Sequence, residues 1–316
     1  MTLLLILPGL CALVLTVSYV CFRMAFYSPP RKPLPPDFVD VPTGPGYDEL
    51  HDKMVQWVLD MRKLPHEDVS ITSFDGLTLT GKFFEFAPGA PMEIMFHGYR
   101  GNAERDLSGG VERAFKLGRS VLLVDQRASR TSGGNVISFG INEHKDCLRW
   151  IDFAISHYGP DVKIILTGIS MGAATVMMAA GCDLPENVMG VLADCGYSSP
   201  REIIEIAVGQ MGIPKKLGWP FVKLGAYVFG HFNPEETSPV AALKKAKVPV
   251  IFYHGDADDL VPCYMSNLCY DACASRKQLV VIPGAGHGLS YAIEPETYLQ
   301  TLGDFFGKDA SHPSVH

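Results

Sequence analysis

Positive charge is scarce in this sequence and is never concentrated. Lys and Arg number 27 against 34 Asp and Glu, a net charge of −7. No basic run exceeds a pair or two and none is interleaved with aromatics, which excludes the basic face of a general nucleic-acid binder. There are eight cysteines but no C-x-x-C and no second ligand pair, so no metal site is expected. No P-loop is present. The glycines of GAGHG (284–288) lie too near the C-terminus, with no ribose-binding acid after them, to form a dinucleotide loop. No cofactor is therefore expected. Internal repeats are absent, and the one biased tract is rich in proline.

What is present is a chain able to bury a core. Of 316 residues, 47% are hydrophobic and 19% charged, enough for one large or two small domains. The cysteines read as small buried thiols of a reducing compartment, with Cys269 and Cys273 on one face of a helix.

The first segment is of a different kind. Residues 3–22, LLLILPGLCALVLTVSYVCF, carry no charge over a length that crosses a bilayer as a helix. A secretory signal would need a basic start and a small-residue cleavage site, and neither is there. Residues 1–24 are thus expected to be a single-pass anchor. Arg23, Arg31 and Lys32 follow it, which favours the cytoplasmic side for the rest of the chain, with the extracytoplasmic side as the alternative. Residues 25–46 read as an extended linker, with seven prolines in 28–46. Residues 47–63 have the spacing of a helix (Leu50, Met54, Trp57, Val58, Met61), packed on the domain that runs from 47 to 307. Residues 308–316 are a polar tail.

From residue 68 the periodicity changes. Two alternating runs flank Asp75-Gly76, the signature of a hairpin. Apolar strands at 92–98, 120–127, 162–170, 188–196, 248–256 and 277–284 then alternate with helices at 103–118, 142–159 and 171–181. One more helix separates the last two strands, and a final helix spans 292–306. Runs rich in Val, Ile and Leu fit strands covered on both faces. The expected fold class is α/β: an eight-stranded, mostly parallel, doubly wound sheet.

Gly168-Ile169-Ser170-Met171-Gly172 lies where a strand turns into a small-residue helix. G-x-S-x-G alone arises by chance about 0.2 times in a chain of this composition. Its strand-turn-helix context is what makes Ser170 a nucleophile candidate. A serine needs a base and the base an orienting acid, supplied from loops at the same sheet edge. GAGHGLS supplies His287, and HGDADDLVP supplies Asp256, Asp258 or Asp259. The order Ser, Asp, His together with these motifs resembles the α/β-hydrolases, in the broad group of esterases and prolyl-oligopeptidase-like or serine-aminopeptidase-like enzymes. The resemblance covers about residues 68–307.

Several expectations follow from it. The pattern H-G-x-x-D-x-x-V-P selects Asp258 as the acid. His97-Gly98 precedes the first oxyanion donor, which becomes the backbone N–H of Tyr99, paired with that of Met171. Arg130 stands where such proteins usually have glycine, and a positive φ there would strain it. Residues 198–238 resemble a small helical cap. Its Leu217, Trp219, Phe221, Val222, Leu224, Tyr227, Val228 and Phe232 either line an apolar acyl pocket, pack on the body or touch the bilayer. His97 and His254 read as buttresses of their turns. Glu104 and Asp106 suit the start of a helix.

The implied function is a serine hydrolase acting on a carboxylic ester or thioester through Ser170, His287 and Asp258. Its partners would be a hydrophobic small-molecule acyl substrate and the membrane. Alternatives on the same residues are a peptidase or an acyltransferase, or a catalytically idle tethered protein.

Overall fold

The computed structural model describes residues 2–29, 35 and 37–307; the polar tail lies outside them. A 24-residue helix, α1 (Thr2–Ala25), opens the chain, and α2 (His51–Lys63) follows a short 3-10 turn at Asp48–Leu50. The hairpin β1 (Glu67–Thr72) and β2 (Thr78–Phe84) forms as its D-G turn predicts, with Gly76 at φ +89°. Then come β3 (Met92–Phe96), α3 (Ala103–Lys116), β4 (Ser120–Val124), α4 (Glu143–Tyr158), β5 (Ile164–Ile169), α5 (Met171–Ala179) and β6 (Val188–Asp194). The cap consists of α6 (Pro200–Gln210) and α7 (Lys215–Gly230). The chain closes with α8 (Pro239–Leu243), β7 (Val250–Gly255), α9 (Tyr264–Ala272), β8 (Lys277–Ile282), α10 (Ser290–Ile293) and α11 (Pro295–Phe306).

The eight strands form one sheet in the order β1-β2-β4-β3-β5-β6-β7-β8. Only the pairs β1–β2 and β2–β4 are antiparallel. Every residue of β3, β4 and β7 is buried, as strands sandwiched between helix layers must be. The helix expected over 292–306 is divided. Proline cannot donate to the preceding turn and disfavours helical backbone just before it. Glu294 accordingly sits at φ −124°, ψ 65°, and α11 starts at Pro295.

One buried ionic cluster braces the sheet beneath the serine strand. Glu93 on β3 has no exposure and binds Arg113, Arg119 and the Thr167 hydroxyl. Burial opposes its ionisation, but the two guanidiniums prevail and hold its pKa below the usual carboxylate value. Replacing Glu93 with glutamine strands two buried cations. A loss of about 3–5 kcal/mol is expected, read as a lower urea midpoint at unchanged slope.

α1 is not a free-standing rod. Every residue from Pro8 to Leu13 is exposed, after which Val14, Val17, Ser18, Cys21, Phe22 and Ala25 turn one face inward at helical spacing while the opposite face stays exposed. That face packs on α7, where a Cβ on Gly225 would run into the Ser18 carbonyl. The segment read as a linker is partly docked too. Phe26 has no exposure, Tyr27 pairs with Val136, and Val41 is buried.

Candidate active site

Ser170 sits between β5 and α5 with φ 55° and ψ −116°. A non-glycine residue there stores on the order of 1–3 kcal/mol of strain. The surroundings enforce it. A Cβ on Gly172 would run into the Phe96 carbonyl, and one on Gly168 into the Gly172 backbone. Ser170 also donates its N–H to the Asp194 carbonyl at 2.8 Å. Strand and helix thus approach so closely that the serine is pushed out at the sheet edge.

His287, from the loop after β8, lines the same cavity as Ser170. Its Nδ1 is 2.7 Å from Asp258 Oδ2. Asp258 Oδ1 accepts the N–H groups of Leu260 (2.9 Å) and Val261 (2.8 Å). Burial opposes the charge on Asp258. Hydrogen bonds from His254 and His287 outweigh it, holding the pKa well below the carboxylate range. The choice among three carboxylates is decided by these contacts: Asp256 accepts the Gly284 N–H at 2.6 Å instead, and Asp259 is exposed. The Tyr47 hydroxyl donates to the His287 carbonyl at 2.7 Å and steadies the loop. Among the described residues the Ser170 hydroxyl makes no hydrogen bond. A loose contact between a candidate nucleophile and base is usual before substrate binds.

His97 and His254 are held away from Ser170. The Gln126 N–H donates to His97 Nε2, which leaves Nδ1–H to donate to the Gly98 carbonyl. His254 is fully buried between Ser266 and the Val261 carbonyl. Met171 is the first residue of α5, so no earlier helical carbonyl takes its N–H. The loop 98–101 passes over the serine: a Cβ on Gly98 would lie 3.6 Å from Ser170 Cβ. This brings Tyr99 to the cavity wall as well.

Three features of that loop were not legible beforehand. Asp106 does more than suit a helix start: its Oδ2 accepts the Gly98 N–H at 3.0 Å beneath the loop. Burial raises its pKa, against the pull of Arg105. The Tyr99 hydroxyl donates to the Ala25 carbonyl at 2.8 Å, and Arg100 donates to the carbonyls of Met24 (2.8 Å) and Tyr27 (3.1 Å). The loop therefore caps the C-terminal end of α1, where a cation suits the helix dipole. Arg130 does adopt a positive φ, 48°. Its guanidinium is anchored on Asn102 Oδ1 at 3.0 Å and on Glu104, beside the start of α3.

The cavity has a volume of about 660 Å³ and a largely apolar wall. Of the eight cap residues singled out above, only Val222 lines it. Trp219 and Phe232 are buried against the body, while Leu217, Tyr227 and Val228 are exposed. On the cap side the lining comes from α6 and the turn after it (Ile203, Ile206, Val208, Met211, Ile213), and α1 adds Cys21, Met24 and Ala25.

Cys195, Asp258 and His287 present ligand atoms within 4.8 Å of one another. The set suits a metal poorly. Burial pushes the Cys195 thiol well up, disfavouring thiolate, and the Asp258 oxygens are already engaged.

Comparison with known proteins agrees with this architecture. A model described as the Prolyl oligopeptidase family matches residues 138–312. The Bacillus subtilis protein YqkD is 27% identical over 192 residues, 60% of this chain and 62% of that protein. The chain thus spans less than two thirds of that relative. The Pyrococcus furiosus esterase Pf2001 superposes with a TM-score of 0.64 at 21% identity, covering 88% of this chain and 97% of that one. The α/β hydrolase GrgF from Penicillium gives 0.61 at 19% identity, covering 77% and 98%. With the sheet order above, the fold is the α/β-hydrolase fold.

Proposed function

We propose that this chain, which belongs to the prolyl oligopeptidase family, is a hydrolase, and specifically a serine esterase tethered to the membrane by α1. The observation that carries this is the Nδ1–Asp258 contact of 2.7 Å on a histidine that shares a cavity with a strained, elbow-borne serine. In the proposed reaction the Ser170 Oγ attacks the ester carbonyl while His287 Nε2 takes its proton. The N–H groups of Tyr99 and Met171 hold the oxyanion. The His287 imidazolium, steadied by the Asp258 carboxylate, then protonates the leaving alkoxide. Water, activated by His287, attacks the acyl-enzyme and releases the acid. An ester is favoured over a peptide by the apolar wall on the cap side. The anchor is supported by Pro8–Ala25, whose mean hydropathy is 1.6, and the basic residues after it favour a cytoplasmic domain.

The test is fluorophosphonate labelling, with the adduct located by mass spectrometry. The expected result is one adduct on Ser170, sharply reduced in His287→Ala. Folded protein that takes no label would refute the hydrolytic reading and favour an idle scaffold.

The oxyanion loop gives a second expected outcome. Asp106→Ala leaves the Gly98 N–H unpaired and the loop loose, for a fall in kcat of about tenfold, the worth of one hydrogen bond. Asp106→Asn keeps an acceptor there and should retain most of the rate. Steady-state kinetics on a chromogenic ester separates the two variants.

A further inference from the structure

We propose that the substrate is a membrane-resident ester of a long acyl chain, which reaches Ser170 from the bilayer through the seam between α1 and the tip of the α6–α7 hairpin. This rests on the reading above, that Ser170 is the nucleophile and α1 the anchor.

The first support is geometric. α1 and α7 run in the same direction: Ser18 meets Gly225, and four residues later Phe22 meets Phe229, with ring centroids 5.9 Å apart. The N-terminal end of α7 and the turn before it therefore point toward the apolar N-terminal end of α1. Residues Pro8 to Leu13 of α1 are all exposed, and the 24 residues of the helix rise about 36 Å. The hydrocarbon core of a bilayer is about 30 Å thick. An anchoring α1 must bring the hairpin tip down to the bilayer with it.

The second support is chemical. The tip exposes Met211, Ile213 and Leu217, with exposed Lys215 and Lys216 between them. Apolar side chains flanked by lysines suit an interface where the former enter the acyl region and the latter meet lipid phosphates.

The third support connects this surface to the serine. Met211 and Ile213 are exposed at 55% and 41% and also line the cavity that holds Ser170 and His287. The same cavity is lined by α1 through Cys21, Met24 and Ala25. One apolar wall thus runs from the membrane-facing tip to the nucleophile. An acyl chain can follow it without crossing water. A small soluble ester has no need of such a route.

The experiment uses the full chain in vesicles of phosphatidylcholine and phosphatidylglycerol. Two substrates share one leaving group: 4-methylumbelliferyl oleate, dissolved in the bilayer, and 4-methylumbelliferyl butyrate, dissolved in water. Leu217 is exposed and lies outside the cavity wall. Leu217→Asp is expected to lower oleate turnover about tenfold or more, since a carboxylate resists entry into the acyl region. Butyrate turnover should stay within about twofold, as for an ordinary surface change. The pair Lys215→Glu with Lys216→Glu should give the same split, removing the attraction to anionic lipid. The proposal is overturned if both substrates lose rate together, if neither does, or if the natural protein turns over butyrate and not oleate. A protein that takes no fluorophosphonate at Ser170 fails instead on the nucleophile itself, and the proposal goes with it.

Discussion

Ser170→Ala is expected to lower kcat/KM on an ester by about 10⁶-fold while leaving the protein folded. No neighbour can replace the lost oxygen. Cys195 Sγ lies 4.0 Å from His287 Nε2, but the thiol is buried and held in its neutral form. What remains is binding and oxyanion stabilisation, worth about 10³–10⁴ over water. A companion variant separates chemistry from stability. At φ 55° a glycine is unstrained where serine is not. Ser170→Gly should therefore be equally inactive yet more stable by about 1 kcal/mol, visible as a raised melting temperature. A variant that is inactive because it is unfolded would show the opposite shift.

Asp258→Asn should cost about 10⁴-fold in kcat with little change in structure. The Leu260 and Val261 N–H groups require an acceptor, so the asparagine carbonyl must turn toward them. That leaves its NH₂ facing His287 Nδ1, which must then accept. The ring proton moves to Nε2, and the nitrogen meant to receive the Ser170 proton is already protonated. Steady-state rates measure the loss, and imidazole nitrogen NMR reads the tautomer directly. The same carboxylate makes a pH prediction. Its folded pKa is depressed, so its contribution to stability is fully present above the unfolded value of about 3.9. It is lost as pH falls through the lower folded value. Natural protein should lose stability in strong acid more steeply than Asp258→Asn, a difference that melting curves down the acid range would show.

Legibility in the sequence followed the range of the interaction concerned. The turn that carries Ser170 was readable because its causes are local: an apolar strand, two glycines and a small-residue helix lie within about twenty residues. The hairpin around Asp75-Gly76 and the alternation of strand and helix were readable for the same reason. From its neighbours alone the acid was only half readable, and the resemblance to the α/β-hydrolases was needed to select Asp258. Asp256, Asp258 and Asp259 crowd four positions, and which of them meets His287 depends on the closure of the 256–261 turn against the β8 loop. Asp106 was read as a helix-start residue, because nothing in its neighbours reveals that its carboxylate meets Gly98 eight positions earlier.

The cap shows the limit most plainly. Apolar spacing says that a helix will be buried but not against what. α7 carries apolar residues around much of its circumference, so its sequence did not distinguish the face on α1 from the face left exposed. Packing assigned Gly225 to the Ser18 carbonyl and gave the cavity wall to α6. By itself, then, the sequence determined the order of elements, the serine elbow and the histidine after the last strand, all of which follow from backbone preferences over short spans. Only the tertiary structure decided how Asp258 is held against the histidine, that Asp106 supports the loop over the serine, and that the N-terminal helix is a wall of the cavity. Each of those depends on which distant surfaces meet, and that is settled by shape and close packing across the whole chain.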